Sequence, residues 1–292
     1  MSDTLTNVAE QRPSQIAVDV AVASILVYVD FDAESDNRIK IAADWARKFN
    51  ASLIGVAGWL PGREIGGWFA DELEPAKERN DRILLELGKL GEHFRNVASR
   101  MVQTMEWRGS FHFPRDVIPA EARSADLVVI SSHPVAQDVY SAFDPGEVLL
   151  NAGRPVLMVP DAVAACGGQR ILIAWKDTRE ARHAVQGALP FLKSAEHVSL
   201  VEITEKVQEW AAQQRLDDVE RYLTRHRVKV RKKLIMEPKG PTSDQLMSVA
   251  KSEAIDLIVA GAYGHSRLGE WVFGGVTHGL LQRIDICGLF AN

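Results

Sequence analysis

The sequence predicts two similar doubly wound α/β domains in tandem, each built on a five-stranded parallel sheet. Three observations carry that expectation. The chain has 292 residues, more than one typical domain of about 100–200 residues holds. An apolar run ending in a small polar cluster occurs near the start of each half: Ser24-Ile-Leu-Val-Tyr-Val-Asp30 and, 146 positions on, Arg170-Ile-Leu-Ile-Ala-Trp-Lys176. A later run is doubled too, as Ala125-Asp-Leu-Val-Val-Ile130 and, 130 positions on, Ile255-Asp-Leu-Ile-Val-Ala260. All four are short and rich in β-branched residues, as strands buried on both faces are.

Helical patterns separate these strands. Ile83, Leu84, Leu87, Leu90, Phe94 and Val97 fall three and four apart and predict one apolar face on a long helix. In the second half, helices are expected from Thr178 to Leu192 and from Trp210 to Leu223. Strands alternating with helices imply βαβ units and a parallel sheet covered on both faces. The stretch Pro160 to Gln169, with its Ala-Ala-Cys-Gly-Gly, reads as a short linker and sets the domains at 20–160 and 168–292. The two offsets differ, so the first copy carries about sixteen extra residues, placed at Leu60 to Pro75 with Gly62, Gly66 and Gly67.

Composition narrows the function classes. Hydrophobic residues make up 46% and charged residues 25%, the balance of a globular protein rather than a disordered or low-complexity chain. The net charge of −5 disfavours a protein that coats nucleic acid. The charge is uneven: residues 1–165 balance to −8 and residues 166–292 to +3, so the second half is the better host for an anion. The start, Met1 to Gln15, has no basic stretch leading into an apolar one, so a signal peptide is not expected. The most apolar stretch, Ile16 to Val29, contains Asp19 and Ser24 and is too short for a membrane span. The expectation is a cytoplasmic protein without a membrane partner. Cys166 and Cys287 belong to no Cys-x-x-Cys pair and read as buried, inert free thiols in a reducing compartment.

One stretch has an unusual charge pattern. Arg225, Arg227, Lys229, Arg231 and Lys233 alternate along the chain, which on a strand puts five basic side chains on one face. No aromatic residues interleave to stack bases. An edge strand protected by charge against sheet-to-sheet pairing is the simpler reading.

The most informative stretch follows the strand ending at Ala260: Gly261-Ala-Tyr-Gly264, then nine residues, then Gly274-Gly275-Val-Thr277. Ligands of open α/β sheets bind outside the carboxyl ends of the strands. Glycine there lets backbone amides approach a phosphate closely. Gly274 and Gly275 then open an expected helix whose free N–H groups favour an anion, with Thr277 adding a hydroxyl.

The spacing Gly-x2-Gly-x9-Gly at Gly261, Gly264 and Gly274 resembles the nucleotide-binding signature of the universal stress protein family, and the chain as a whole is similar to a tandem member. The resemblance implies an adenine-nucleotide α-hydrolase-like fold and binding of ATP at Gly261, Gly264, Gly274, Gly275 and Thr277. Two departures matter. Gly275 stands where the family usually has Ser or Thr. The Asp that commonly ends the family's first strand is Asp30 in the first copy, but Lys176 followed by Asp177 in the second. Lysine cannot accept a hydrogen bond from a nucleoside, though it can meet a phosphate as a point charge. The first copy keeps Asp30 but reads Ser131-Ser-His-Pro134 where the glycines should be, and Pro134 removes an N–H. No phosphate cradle is expected there.

Other chemistries find little support. There is no Gly-x4-Gly-Lys-Ser/Thr loop, and Gly264-His-Ser266-Arg-Leu-Gly269 is one residue too long for a nucleophile elbow. The histidines and cysteines lack metal-ligand spacing. The expected function is therefore stress-response regulation through adenine-nucleotide binding at the second domain, without catalysis. A non-binding interaction module and a slow ATP hydrolase stay open as alternatives. Related single-domain proteins pair through their last strands, so Arg154–Pro160 and Ile284–Phe290 are expected side by side in an internal pseudo-dimer, with a homodimer as a further possibility. Gly288 is expected to weaken the last strand.

Overall fold

A computed structural model describes residues 22–30, 35–59, 76–133, 143–236, 240–262 and 285–292. The first half runs β1 (Ser24–Tyr28), α1 (Ser35–Phe49), β2 (Ser52–Gly58), α2 (Ala76–Ala98), β3 (Met105–Ser110), α3 (Pro114–Glu121), β4 (Leu127–Ser131), α4 (Pro145–Asn151) and β5 (Val156–Val159). The second runs β6 (Arg170–Trp175), α5 (Arg179–Ser194), β7 (His197–Thr204), α6 (Glu209–Arg225), β8 (Arg231–Met236), α7 (Thr242–Ser252), β9 (Leu257–Gly261) and β10 (Cys287–Ala291). The insertion proposed at Leu60 to Pro75 lies outside the described residues.

All these strands join one ten-stranded sheet in the order β3-β2-β1-β4-β5-β10-β9-β6-β7-β8. Read outward from the middle, each half has the same strand order. Within each half the neighbours pair parallel, and the single antiparallel pair, β5 with β10, joins them through Met158↔Gly288, Leu157↔Leu289 and Val156↔Phe290. The expected neighbours at 154–160 and 284–290 are therefore side by side. Gly288 does not end the strand: every residue of β10 is buried, with β9 on one side and β5 on the other.

Alternation along the strands builds two cores. Ile25, Val27 and Val29 face one side with Ile171, Ile173, Leu257 and Val259, under α1, α2, α5 and α6. Leu26, Tyr28, Val128 and Ile130 face the other with Leu172, Ile258 and Phe290, under α3, α4 and α7. Each core runs through both halves. On the first face Trp45 and Phe49 of α1 meet Phe191 of α5, with ring centroids 4.5 and 5.1 Å away. The linker packs on the same tryptophan: a Cβ on Gly168, whose φ is +62°, would lie 2.5 Å from the Trp45 ring.

Two expectations change. The basic stretch is not one strand. Arg225 closes α6, Arg227 has φ 65°, and only Arg231, Lys232 and Lys233 enter β8. Helix-forming residues upstream continue α6 to Arg225, and the turn at His226–Arg227 uses the left-handed conformation at which helices commonly end. β8 is nevertheless an edge strand, and Lys232 is held by Asp217 at 2.5 Å and Glu220 at 2.7 Å. On α2, Ile83, Leu87, Leu90 and Phe94 are buried as expected, but Leu84 is exposed, because the stripe is narrower than the spacing allows.

Candidate functional site

In each half the strand order reverses between two neighbours, β1 and β4 or β6 and β9, and in the first half the chain leaves their carboxyl ends toward opposite faces, to α1 and to α4. Such switch points open the crevices in which α/β folds bind ligands. The two crevices are built differently.

In the first half Asp30 follows β1 and is buried. Arg38, one turn into α1, is buried beside it, with Nη2 2.6 Å from Oδ2 of Asp30. Arg38 also donates from Nε to the Tyr28 carbonyl at 2.7 Å and from Nη2 to Ser35 Oγ at 3.2 Å. Its guanidinium lies 5.6 Å from the centre of the Tyr28 ring. Opposite, Ser131 donates to the His133 carbonyl at 2.5 Å. Asp30 is thus engaged inside the protein. Sequence reading passed over Arg38, although a signal existed: it shares the apolar stripe of α1 with Ile41, Ala42 and Trp45, where a charge needs a partner.

In the second half the equivalent position is exposed. Lys176 and Asp177 are both exposed, and Asp177 pairs with Arg182 at 2.5 Å. The start of α5 does not wait for an anion. Thr178 caps it, its hydroxyl accepting from the Ala181 N–H at 3.2 Å. Burial tends to raise the Glu180 carboxyl, but hydrogen bonds from its own backbone, Thr178 and Arg179 outweigh this and hold it below the ordinary value. That helix end is already neutralised by its own carboxylate.

Gly261 ends β9 directly beneath this turn. A Cβ there would lie 2.3 Å from the Ala181 nitrogen and 2.6 Å from the Glu180 carbonyl carbon. The glycine is required by the close approach of two backbones, α5 against β9. The structure thus places Gly261 and Lys176 on neighbouring strand ends. Gly264, Gly274, Gly275 and Thr277 lie outside the described residues.

Beside this turn, between α5 and α6, is a cavity of about 420 Å³ lined by Trp175, Asp177, Arg182, Arg215, Val219 and Tyr222, among others. Its Arg215 is tied to Glu202, Nε to Oε1 at 3.0 Å. Burial raises the Glu202 carboxyl above its ordinary value, and the arginine offsets this only in part. Oε2 of Glu202 and Nε1 of Trp175 are buried with no hydrogen-bond partner among the described residues. No group of three or more potential metal ligands occurs among the described residues.

The family model of the universal stress proteins matches residues 168–286. No curated protein sequence matches the chain. Among solved structures, a universal stress protein from Archaeoglobus fulgidus DSM 4304 is similar over 92% of this chain and 98% of that one, at 13% identity and a TM-score of 0.70. A functionally unknown protein from Pseudomonas aeruginosa PAO1 is similar over 92% of each chain, at 14% identity and a TM-score of 0.54. At these identities the likeness is one of fold, and it extends through both halves. Residues 168–286 match the universal stress protein family, and the first half repeats the strand order of the second.

Proposed function

We propose that the chain is a tandem universal stress protein that binds one adenine nucleotide, ATP, in its second half and acts as a stress-response regulator rather than an enzyme. The observation that carries this reading is the contrast between the switch points: Arg38 closes the first on Asp30, whereas the second leaves Lys176 and Asp177 exposed. Only the second half also has the Gly261, Gly264 and Gly274 spacing. Because Thr178 and Glu180 already satisfy the start of α5, the phosphates belong with Gly264, Gly274, Gly275 and Thr277, where the sequence predicts another helix start. Lys176 adds a point charge beside them. The +3 balance of residues 166–292 favours such an anion.

The domains are read as 20–160 and 168–292, forming an internal pseudo-dimer about the β5–β10 pair, in a cytoplasmic protein. No helix among the described residues is long and apolar enough to cross a membrane. The test is to purify the chain gently, extract it with acid and identify what was bound by chromatography and mass. Adenine nucleotide recovered from wild type but not from a folded Gly264→Val variant supports the reading. If neither carries nucleotide and added ATP leaves the thermal midpoint of wild type unmoved, the interaction-module alternative takes its place.

A further inference from the structure

The two cysteines are 121 positions apart in sequence, yet the fold brings them together. Cys166 sits in the linker, after exposed Ala164 and Ala165, and is itself buried, its thiol 3.8 Å from the Asp256 carbonyl. Cys287 opens β10 and is register partner to Leu257, the residue after Asp256. Both thiols are free and buried, and both belong to the same core, one against the Asp256 carbonyl and the other beside Leu257. The linker is held over this spot by Asp256, whose carboxylate accepts from the Gln169 and Arg170 N–H groups at 2.9 and 3.0 Å.

We propose that Cys166 and Cys287 form a reversible redox pair, closing to an intramolecular disulfide that staples the linker to the central strand β10. The step needs an oxidant, a low-molecular-weight disulfide. The Cys166 thiolate attacks one of its sulfurs and releases one thiol; Cys287 then gives up its proton, attacks Cys166 Sγ and releases the second. Two protein thiols and one small disulfide become one protein disulfide and two small thiols.

The order of events follows from the surroundings. The neighbouring Cys166 thiol, burial and the nearby Asp256 carboxylate push the Cys287 thiol well above its ordinary range, so it does not react while closed. Cys166 lies in a stretch without helix or strand, directly after two exposed alanines, and becomes accessible when that stretch lifts. Attack therefore begins at Cys166, and Cys287 resolves it. Closure brings the two sulfurs, which flank the Asp256–Leu257 peptide, to the roughly 2.05 Å of a disulfide.

The test treats the intact chain with oxidised glutathione, quenches, unfolds it with iodoacetamide and measures mass. Wild type should lose two hydrogens with no adduct, and non-reducing peptide maps should join the Cys166 and Cys287 peptides. Dithiothreitol should restore both thiols. Cys287→Ser should stall with glutathione on Cys166, and Cys166→Ser should keep its one thiol. The urea midpoint of the oxidised wild type should rise above that of the reduced form. Glutathione adducts on wild type, disulfide-linked dimers, or two thiols surviving an exposure that fully modifies Cys287→Ser would each overturn the proposal, as would failure of both proteins to react.

Discussion

Arg38 Nη2 lies 2.6 Å from Asp30 Oδ2, with both side chains withdrawn from water. Breaking a buried pair leaves one charge uncompensated, whereas replacing both members can be nearly neutral. Arg38→Ala should therefore cost about 3–5 kcal/mol in urea unfolding. The double variant Arg38→Met with Asp30→Asn should recover more than half of that loss. A double variant as unstable as the single one would show that packing of the arginine stem, not the charge, is what matters.

Glycines separate two effects. Gly261→Ala pushes a methyl group into the backbone of α5 at 2.3 Å and should cost about 3 kcal/mol or more. Gly88, exposed within α2 with nothing within 4 Å of its would-be Cβ, should do the opposite. Gly88→Ala should stabilise by about 0.5–1 kcal/mol through helix propensity. Thermal midpoints of the two variants against wild type check both signs.

Acid should act through Glu253. Burial tends to raise its carboxyl, but bonds from Ser199, from Lys233 at 3.2 Å and from His197 at 3.4 Å outweigh this and hold it below its ordinary value. A carboxyl depressed in the folded state binds fewer protons there than in the unfolded chain. Its contribution is thus full above the ordinary range and lost as pH falls through the folded value. Urea midpoints followed from about pH 7 down to about pH 3 should show a shallower decline for Glu253→Gln than for wild type. Parallel curves would place the acid sensitivity elsewhere.

The aromatic contact between α1 and α5 should couple the halves. Phe191→Ala removes a buried ring that touches both Trp45 and Phe49 and should cost about 3–5 kcal/mol. Because each core runs through both halves, circular dichroism and tryptophan fluorescence should report one coincident transition in wild type. Two resolved transitions would mean that the β5–β10 joint does not make the halves cooperative.

The fold was legible in the sequence because buried parallel strands are continuous apolar runs, and the doubled runs at Ser24, Arg170, Ala125 and Ile255 are nearly the observed strands. The joint could be placed but its consequence could not: that two sheets fuse into one depends on pairing between residues more than a hundred positions apart. Alternating charge misled at Arg225–Lys233, since period two appears by chance where a helix end meets a strand start. At the candidate site, Lys176 and Gly261 were visible from their place after strands. The sequence points Gly261 at a phosphate, whereas its nearest neighbour in the fold is the backbone of Ala181. Arg38, and the meeting of Cys166 with Cys287, escaped because contacts across the fold leave no local spacing to read.

Titration calorimetry with ATP on wild type, Asp30→Ala and Lys176→Ala tests the one-site account most directly. About one nucleotide should bind per chain, with Asp30→Ala unchanged in affinity because that carboxylate is closed off by Arg38. Lys176→Ala should bind more weakly, by roughly ten- to a hundredfold if one charge-assisted bond is lost. A stoichiometry near two, or an affinity that falls with Asp30→Ala and is indifferent to Lys176→Ala, would contradict it.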